Sequence, residues 1–148
     1  MKTTSIILAL SLAAAASAIA EEESADLNSL PPAAQKTARE LLGKAKVEEV
    51  EPTFENGIHA YEVEFTREGK PMAIVLSRDG KLIQTETRIA PADAPEKIRV
   101  AALKSFPDGR LTRVRLVEEA AGAVYYEVTV KAGGKSHTLH LEKSGKIL

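Results

Sequence analysis

Cysteine is absent from the 148-residue chain, and aromatic residues make up only 4% of it. The lack of cysteine excludes disulfides, thiolate metal sites, a cysteine nucleophile and a lipidated N-terminal cysteine. No charge of one sign dominates either: 20 Lys and Arg residues face 21 Asp and Glu residues, which gives no general case for binding nucleic acid. The 44% hydrophobic content predicts a folded globular protein, and the length is too short for most multi-domain enzymes.

The common catalytic and nucleotide-binding motifs are also missing: the chain contains no G-x-S-x-G, H-E-x-x-H, P-loop or G-x-G-x-x-G sequence. Of the three histidines, His137 and His140 are three residues apart on a predicted strand. They therefore point to opposite faces and cannot share a metal. His137 is expected to pack inward, His140 to point outward, and His59 to have a structural role. We expect no enzymatic activity and no cofactor.

The N-terminus is typical of a secretory signal peptide. Lys2 supplies a positive charge, residues 6–16 form a short apolar run, and Ala18-Ile19-Ala20 matches an A-x-A cleavage site. The run is shorter than the roughly 20 apolar residues of a membrane span, although an uncleaved anchor is an alternative. We expect cleavage after Ala20, or alternatively after Ala18. The mature protein is then predicted to be periplasmic or secreted, without a membrane anchor.

The remaining sequence reads as a tandem repeat. Tyr61-Glu62-Val63-Glu64-Phe65 resembles Tyr126-Glu127-Val128-Thr129-Val130, and this alignment continues without a gap to the end of the chain. Upstream, Pro31 aligns with Pro95 and Ala38 with Ala102 after a shift of one residue. Such self-similarity indicates a duplicated unit. The predicted organisation is a signal peptide (1–20), an acidic tail (21–28), repeat 1 (29–88), a linker (89–95) and repeat 2 (96–148).

Each repeat is predicted to begin with one amphipathic helix. In repeat 1 the helix starts at Pro31 or Pro32 and ends near Gly43. Its apolar stripe has helical spacing and consists of Ala34, Ala38, Leu41 and Leu42. In repeat 2 the helix opens at Pro95, with Asp93 as a candidate cap. The stripe of this second helix consists of Ile98, Ala102 and Phe106.

Strands with alternating apolar residues follow each helix. Turns are predicted at Glu68-Gly69 and Gly133-Gly134, where two strands join as a hairpin. Residues 82–88 form a fourth strand in repeat 1, whereas its counterpart at 146–148 is short or missing. The predicted fold is α+β: two tandem helix-plus-antiparallel-sheet repeats with the helices packed on one sheet face. Whether the two sheets merge is left open.

The motifs resemble those of a known family. Leu30-Pro31-Pro32-Ala33-Ala34-Gln35, the repeated Tyr-Glu-Val strands at 61 and 126, and the Gly-Lys turns at 80 and 145 resemble PepSY-like domains. More specifically, they are similar to the tandem group whose fold is like that of β-lactamase inhibitory protein. The resemblance implies an exported, non-enzymatic binding module that presents a sheet face and hairpin loops to a partner protein. It does not imply inhibition of β-lactamase, and the absent cysteines and scarce aromatics depart from that inhibitor.

Charge is distributed unequally between the repeats. Residues 21–88 contain 14 acidic and 9 basic residues, whereas residues 89–148 contain 7 acidic and 10 basic residues. The outward positions of the strands form the candidate partner-binding face. They are Glu49, Glu51, Glu62, Glu64 and Val75 in repeat 1 and Arg113, Arg115, Tyr125, Glu127, Thr129 and His140 in repeat 2. Such a face could steer an unidentified exported protein, could favour head-to-tail self-association of an otherwise monomeric protein, or could simply keep the sheet soluble.

Paired carboxylates suggest a second function. Glu62 and Glu64 share one strand face, about 7 Å apart by the rise of a strand. Two such groups could hold a hard cation or perform acid–base chemistry, although a solvated strand face is more common. The alternative hypothesis is therefore a cation- or small-ligand-binding envelope protein that uses the acidic sheet face.

Overall fold

A computed structural model describes residues 26–148. The predicted signal peptide and most of the predicted acidic tail lie outside the described residues. Residues 26–148 form two α-helices and seven β-strands, with short 3₁₀ turns at Leu27–Ser29 and Pro91–Asp93. In chain order the elements are α1 (Pro32–Leu42), β1 (Lys46–Glu55), β2 (Ile58–Arg67), β3 (Lys70–Ser77), β4 (Leu82–Ile89), α2 (Glu96–Ser105), β5 (Arg110–Glu119), β6 (Val124–Ala132) and β7 (Lys135–Leu141).

The strands form one antiparallel sheet in the order β1-β2-β3-β4-β5-β6-β7. Strands β4 and β5 join the two groups of strands: Gln84 pairs with Glu119 and Ile89 with Val114. The α+β class is confirmed, and the two sheets that the sequence left separable are one. The interpretation as two tandem repeats stays a prediction.

Helix α1 covers the first part of one sheet face. Its buried residues are Ala34, Ala38 and Leu42, which pack with strand residues such as Val63 and Phe65 in one apolar cluster. Leu41 was predicted to belong to the buried stripe but is 40% exposed. At about 100° per residue, Leu42 occupies the inward position and turns Leu41 away from the sheet.

Helix α2 covers the second part of the same face. Ile98 and Ala102 are buried in a second cluster with strand residues of β5, β6 and β7. The predicted cap at Asp93 is wrong, because the N-cap residue of this helix is Pro95, no side-chain cap is found there among the described residues, and Asp93 belongs to the preceding 3₁₀ turn. Pro95 provides the first helical carbonyl, which accepts hydrogen bonds from Ile98 and Arg99 at 2.9 and 3.1 Å. Asp93 therefore lies too far upstream to act as a cap.

Tight turns set the register of the hairpins. Glu68-Gly69 and Gly133-Gly134 both have positive φ at the two central residues, as the predicted hairpins require. A third turn of this type, Asn56-Gly57, joins β1 to β2 and was not predicted. The turn after β3 holds α1 on the sheet, because Thr37 Oγ1 donates a hydrogen bond to the carbonyl of Gly80 at 2.8 Å.

The end of the chain contributes little to the sheet. The strand predicted to be short or missing at 146–148 is reduced to one bridge between Ile147 and Leu141. Across residues 26–148, no helix combines the length and the apolar character that crossing a membrane requires.

Candidate functional site

All eleven predicted partner-binding residues lie on the sheet face that the helices leave uncovered, here called the helix-free face. The register shows this, because directly paired residues share a face. Glu49 pairs with Glu64, Glu51 with Glu62, and Glu62 with Val75. On the other side of the sheet, Arg113 pairs with Thr129, Arg115 with Glu127, Glu127 with His140, and Tyr125 lies opposite Val117.

Three of these residues are not at the surface, contrary to the prediction. Val75 is only 1% exposed, Arg115 6% and Tyr125 9%. Val75 lies on a central strand, with Glu62 and Gln84 as its partners in register on the two neighbouring strands. Glu49, Glu51, Arg113 and His140 are exposed as predicted, and Glu62, Glu64, Glu127 and Thr129 are partly buried.

Curvature of the sheet explains this burial. In a flat sheet, side chains on a face without helices would be exposed to water. Nevertheless, Val75, Val117 and Tyr125, on three strands of this face, are only 1%, 1% and 9% exposed. The sheet therefore bends over its own helix-free face. The helix-free face is therefore concave.

Arg115 forms the ionic centre of this concave face. Its Nη1 atom is in direct contact with Glu86 Oε2 and lies 3.1 Å from Glu62 Oε1. Its Nη2 atom lies 3.9 Å from Glu64 Oε1. Gln84 Nε2 completes the arrangement by donating a hydrogen bond to Glu86 Oε1 at 2.8 Å. One guanidinium on β5 thus connects carboxylates of β2 and β4.

The electrostatics of this cluster follow from its burial. Burial alone would lower the pKa of the Arg115 guanidinium, but Glu86 and Glu62 raise it, and the net direction is upward. Burial raises the pKa of the Glu62 carboxyl, and the charge of Arg115 opposes this only in part. Although Glu62 Oε1 forms an ion pair with Arg115, it receives no well-directed hydrogen bond. Glu62 is therefore held by charge alone, whereas Glu86 also accepts hydrogen bonds from Arg115 and Gln84.

Glu86 and Gln84 are the members of this cluster that the sequence interpretation missed. Residues 82–88 were predicted to form a strand, and the alternation Gln84, Glu86, Arg88 was a readable signal of one polar face. Arg88 lies on that face and forms an ion pair with Glu64, with Nη2 to Oε1 at 2.5 Å. The repeat alignment offered no counterpart for this strand, so its face was not assigned.

A second group of polar residues surrounds Tyr125 on β6. Burial and the nearby charges of Glu119 and Glu55, together with a hydrogen bond to Glu119, raise the pKa of Tyr125 to about 12. The Tyr125 ring lies 5.1 Å from the ring of His140. His140 Nε2 is also 3.4 Å from Glu127 Oε2. Tyr125 therefore has a structural position beneath the exposed His140.

The exposed carboxylates of the face lie on the edge strand β1. Glu49 and Glu51 are adjacent on this face, and the charge of Glu51 raises the pKa of the Glu49 carboxyl. Within residues 26–148, no group of three or more His, Cys, Asp or Glu side chains is arranged to hold a metal. The predicted pair Glu62 and Glu64 instead surrounds the guanidinium of Arg115.

The other histidines have packing contacts. The His137 ring stacks on Phe106 beneath α2, with ring centroids 4.4 Å apart. His59 makes an edge contact with Phe54 at 5.1 Å near the β1–β2 turn. Both positions agree with the structural roles that the sequence predicted.

Comparison with known proteins supports the fold. The chain is similar to a DUF2874 family protein from Bacteroides uniformis, with a TM-score of 0.62, 14% identity, and coverage of 80% of this chain and 86% of that one. A Bacteroides eggerthii protein, provisionally described as periplasmic, gives a TM-score of 0.61 at 16% identity over 80% of this chain and 86% of that one.

A BLIP-like protein from Bacteroides fragilis gives a TM-score of 0.57 at 21% identity, over 83% of this chain and 89% of that one. Comparison with family models and with curated protein sequences finds no match. At these identities the likeness establishes the fold alone. The predicted fold similar to β-lactamase inhibitory protein is confirmed at that level.

Proposed function

We propose that this protein is an exported, non-enzymatic binding module that recognises a partner protein with its helix-free face. One observation carries the proposal: within residues 26–148, the seven-stranded sheet leaves one face without helices, and the burial of Val75, Val117 and Tyr125 shows that this face is concave. Its centre is filled by the protein's own buried ion pairs around Arg115. A surface fixed in this way loses little conformational entropy on binding.

The rim of the face would recognise the partner. Glu49 and Glu51 are exposed on the edge strand, and Arg113 is exposed on β5. A partner with basic residues opposite β1 fits this arrangement, because complementary charge speeds association and disfavours wrong partners. Arg115 and Tyr125 act instead as supports within the sheet.

The narrower proposal is that binding inhibits or regulates an envelope or secreted enzyme, such as a peptidase. The resemblance to PepSY-like domains and the shared fold with a BLIP-like protein support this class of partner. The predicted signal peptide supports a periplasmic or secreted location. The mature protein is expected to act as a monomer without a cofactor, and head-to-tail self-association is the alternative assembly.

The geometry does not favour the cation-binding hypothesis. A hard cation needs several free oxygen ligands around one point. Glu62, Glu64 and Glu86 already surround Arg115, and Glu64 also pairs with Arg88. Calorimetric titration with Ca²⁺, Mg²⁺ and Zn²⁺ remains the direct test. Saturable heat that is lost in Glu62→Gln would revive this hypothesis.

Affinity capture with residues 21–148 as bait tests the binding proposal. The bait is compared with Glu49→Lys/Glu51→Lys, which reverses the exposed charges of β1. Glu40→Lys/Glu118→Lys is the matched control: both residues are exposed, and both lie on the helix-covered side of the molecule. We expect a soluble protein from the envelope fraction that wild type and control retain and that the β1 variant loses.

Assays with the purified captured protein then test the narrower proposal that binding inhibits or regulates an enzyme. The captured protein should bind the wild type with an affinity that falls as salt rises, since exposed charges are screened. If it is an enzyme, its activity should change on binding. Equal capture by all three baits would overturn the assignment of the face, and an empty eluate at low salt would count against a stable protein partner.

A further inference from the structure

A groove lies at one end of the sheet, where the chain passes from β4 to β5. It encloses about 520 Å³ and is lined by Pro71 together with residues from 88–91 and 112–114. Pro71, Ile89 and Pro91 supply an apolar floor, Val114 is fully buried in the core behind it, and Arg88 and Arg113 supply positive charge. This volume falls within the range typical of small-molecule sites.

The charge of the groove is not neutralised by its own walls. No acidic residue lines it. Within residues 26–148, no carboxylate lies within ion-pair distance of Arg113. Arg88 uses one nitrogen to bind Glu64, and a guanidinium has further N–H donors to offer. The groove therefore presents two cations beside an apolar floor.

A β-bulge shapes this part of the groove. The register between β5 and β6 shifts between Leu111 and Arg113 and leaves Thr112 outside the ladder. The Thr112 hydroxyl bonds back to the carbonyl of Thr129 at 3.3 Å. Bulges of this type redirect neighbouring side chains and are common beside functional sites. Here the bulge lies directly before the unpaired Arg113.

We propose that this groove binds a small organic anion with an apolar chain, specifically a carboxylate. Arg113 would hold the carboxylate through charge-assisted hydrogen bonds, with Arg88 adding charge from the facing strand. The apolar chain would lie on Pro71, Ile89 and Pro91. This site differs from the acidic strand β1, but it shares Arg113 with the rim of the proposed partner-binding face. Titration of the isolated protein tests the groove without the partner.

Titration with octanoate, followed by amide chemical shifts in NMR, tests the proposal. We expect saturable shifts confined to residues 88–91 and 111–114, with a Kd on the order of 1 mM or tighter. Arg113→Gln should weaken binding by about tenfold to a hundredfold, because it removes the free cation. Arg110→Gln is the matched control: Arg110 is exposed on the same strand but does not line the groove, and its variant should bind as the wild type does.

Two further probes, one neutral and one shortened, separate the contributions of the charge and of the apolar chain to binding. Methyl octanoate keeps the chain without the charge, and acetate keeps the charge without the chain; both should bind much more weakly than octanoate. The proposal is overturned if octanoate gives no saturable shifts in the groove. It is equally overturned if Arg113→Gln binds octanoate unchanged, or if the methyl ester binds as well as the acid.

Discussion

Replacing Arg115 with methionine removes the only guanidinium that contacts both Glu62 and Glu86 among the described residues. Methionine keeps an unbranched apolar stem but is shorter than arginine, so the change deletes the charge together with the hydrogen-bond donors. The Arg115 and Glu86 side chains are only 7% and 6% exposed, and that of Glu62 is 17% exposed. Water therefore cannot replace the lost partner at the centre of the helix-free face.

The size of the expected loss in unfolding free energy depends on which carboxylates lose their cation. Glu64 retains Arg88, and Glu86 retains the hydrogen bond from Gln84, but the charges of Glu62 and Glu86 lose their counter-ion. Removing one partner of a buried ion pair costs about 3–5 kcal/mol. With a urea dependence of about 1–3 kcal/mol per M, the unfolding midpoint should fall by on the order of 2 M.

The destabilisation caused by Arg115→Met should depend on pH in a predictable direction. Burial already raises the pKa of Glu62, and the lost cation raises it further. A carboxyl with a raised folded-state pKa destabilises the protein above that pKa, and protonation relieves the cost as the pH falls. The difference in unfolding free energy between wild type and Arg115→Met should therefore shrink from pH 7 to pH 5.

Two further variants test whether the destabilisation of Arg115→Met comes from the buried ion cluster. Arg113→Met, at an exposed position on the same strand, should change the unfolding free energy by less than about 0.5 kcal/mol. Adding Glu86→Gln to Arg115→Met should recover part of the loss, because it removes one uncompensated charge. If Arg115→Met unfolds at the same urea concentration as Arg113→Met, the reasoning about the buried cluster is refuted.

Three other variants test separate parts of the fold. Gly80→Ala should destabilise the protein by roughly 1–3 kcal/mol in urea unfolding, because a Cβ there would lie 2.6 Å from the carbonyl oxygen of Ala33 at a φ of +82°. Tyr125→Phe should remove the tyrosine whose pKa is raised to about 12, as followed by ultraviolet titration. Because an unfolded tyrosine loses its proton near pH 10, the unfolding free energy of the wild type should fall between pH 10 and 12. That of the variant should fall less over the same range. Arg67→Ala should cost about 1–2 kcal/mol in thermal unfolding, because Arg67 Nη2 donates a hydrogen bond to the last turn of α1 at the carbonyl of Leu41, at 2.7 Å.

Matched controls accompany these variants. Gly57→Ala shares the positive φ but meets open space, so it should cost less than Gly80→Ala. Tyr126→Phe should leave the high-pH ionisation in place, and Lys70→Ala, exposed on the neighbouring strand, should leave thermal stability nearly unchanged. If a variant and its control have equal effects, the physical reason given for that variant is contradicted.

Local patterns predicted the helices and most strands because each pattern has one dominant physical cause. Pro32 and Gly43 mark the first helix because proline fits a first turn and glycine a helix end. The alternation of Val63 and Phe65 with Glu62 and Glu64 assigned the faces of β2 correctly. The Asn56-Gly57 turn was missed although this dipeptide is a strong hairpin signal.

Burial on the helix-free face could not be predicted from alternation. Alternation gives the side of a sheet, but exposure depends on how strongly that sheet curves. Arg115 and Tyr125 were assigned to the correct side and then taken as exposed, whereas curvature encloses both. The pairing of Arg115 with Glu86 depends on contact between β4 and β5, which no local signal specifies.

The simple strand order has a consequence for how the chain folds as it is made. Every strand pairs only with its neighbours in sequence, so most pairings can form as soon as the next strand appears. The central ion cluster is the exception, since Glu62 and Glu86 precede Arg115 by the whole of α2 and the start of β5. Until β5 is made, Glu62 and Glu86 lack the guanidinium of Arg115, although Glu64 can already pair with Arg88 of β4. We therefore expect the central ion cluster to form only after synthesis of β5 has brought Arg115 to the sheet.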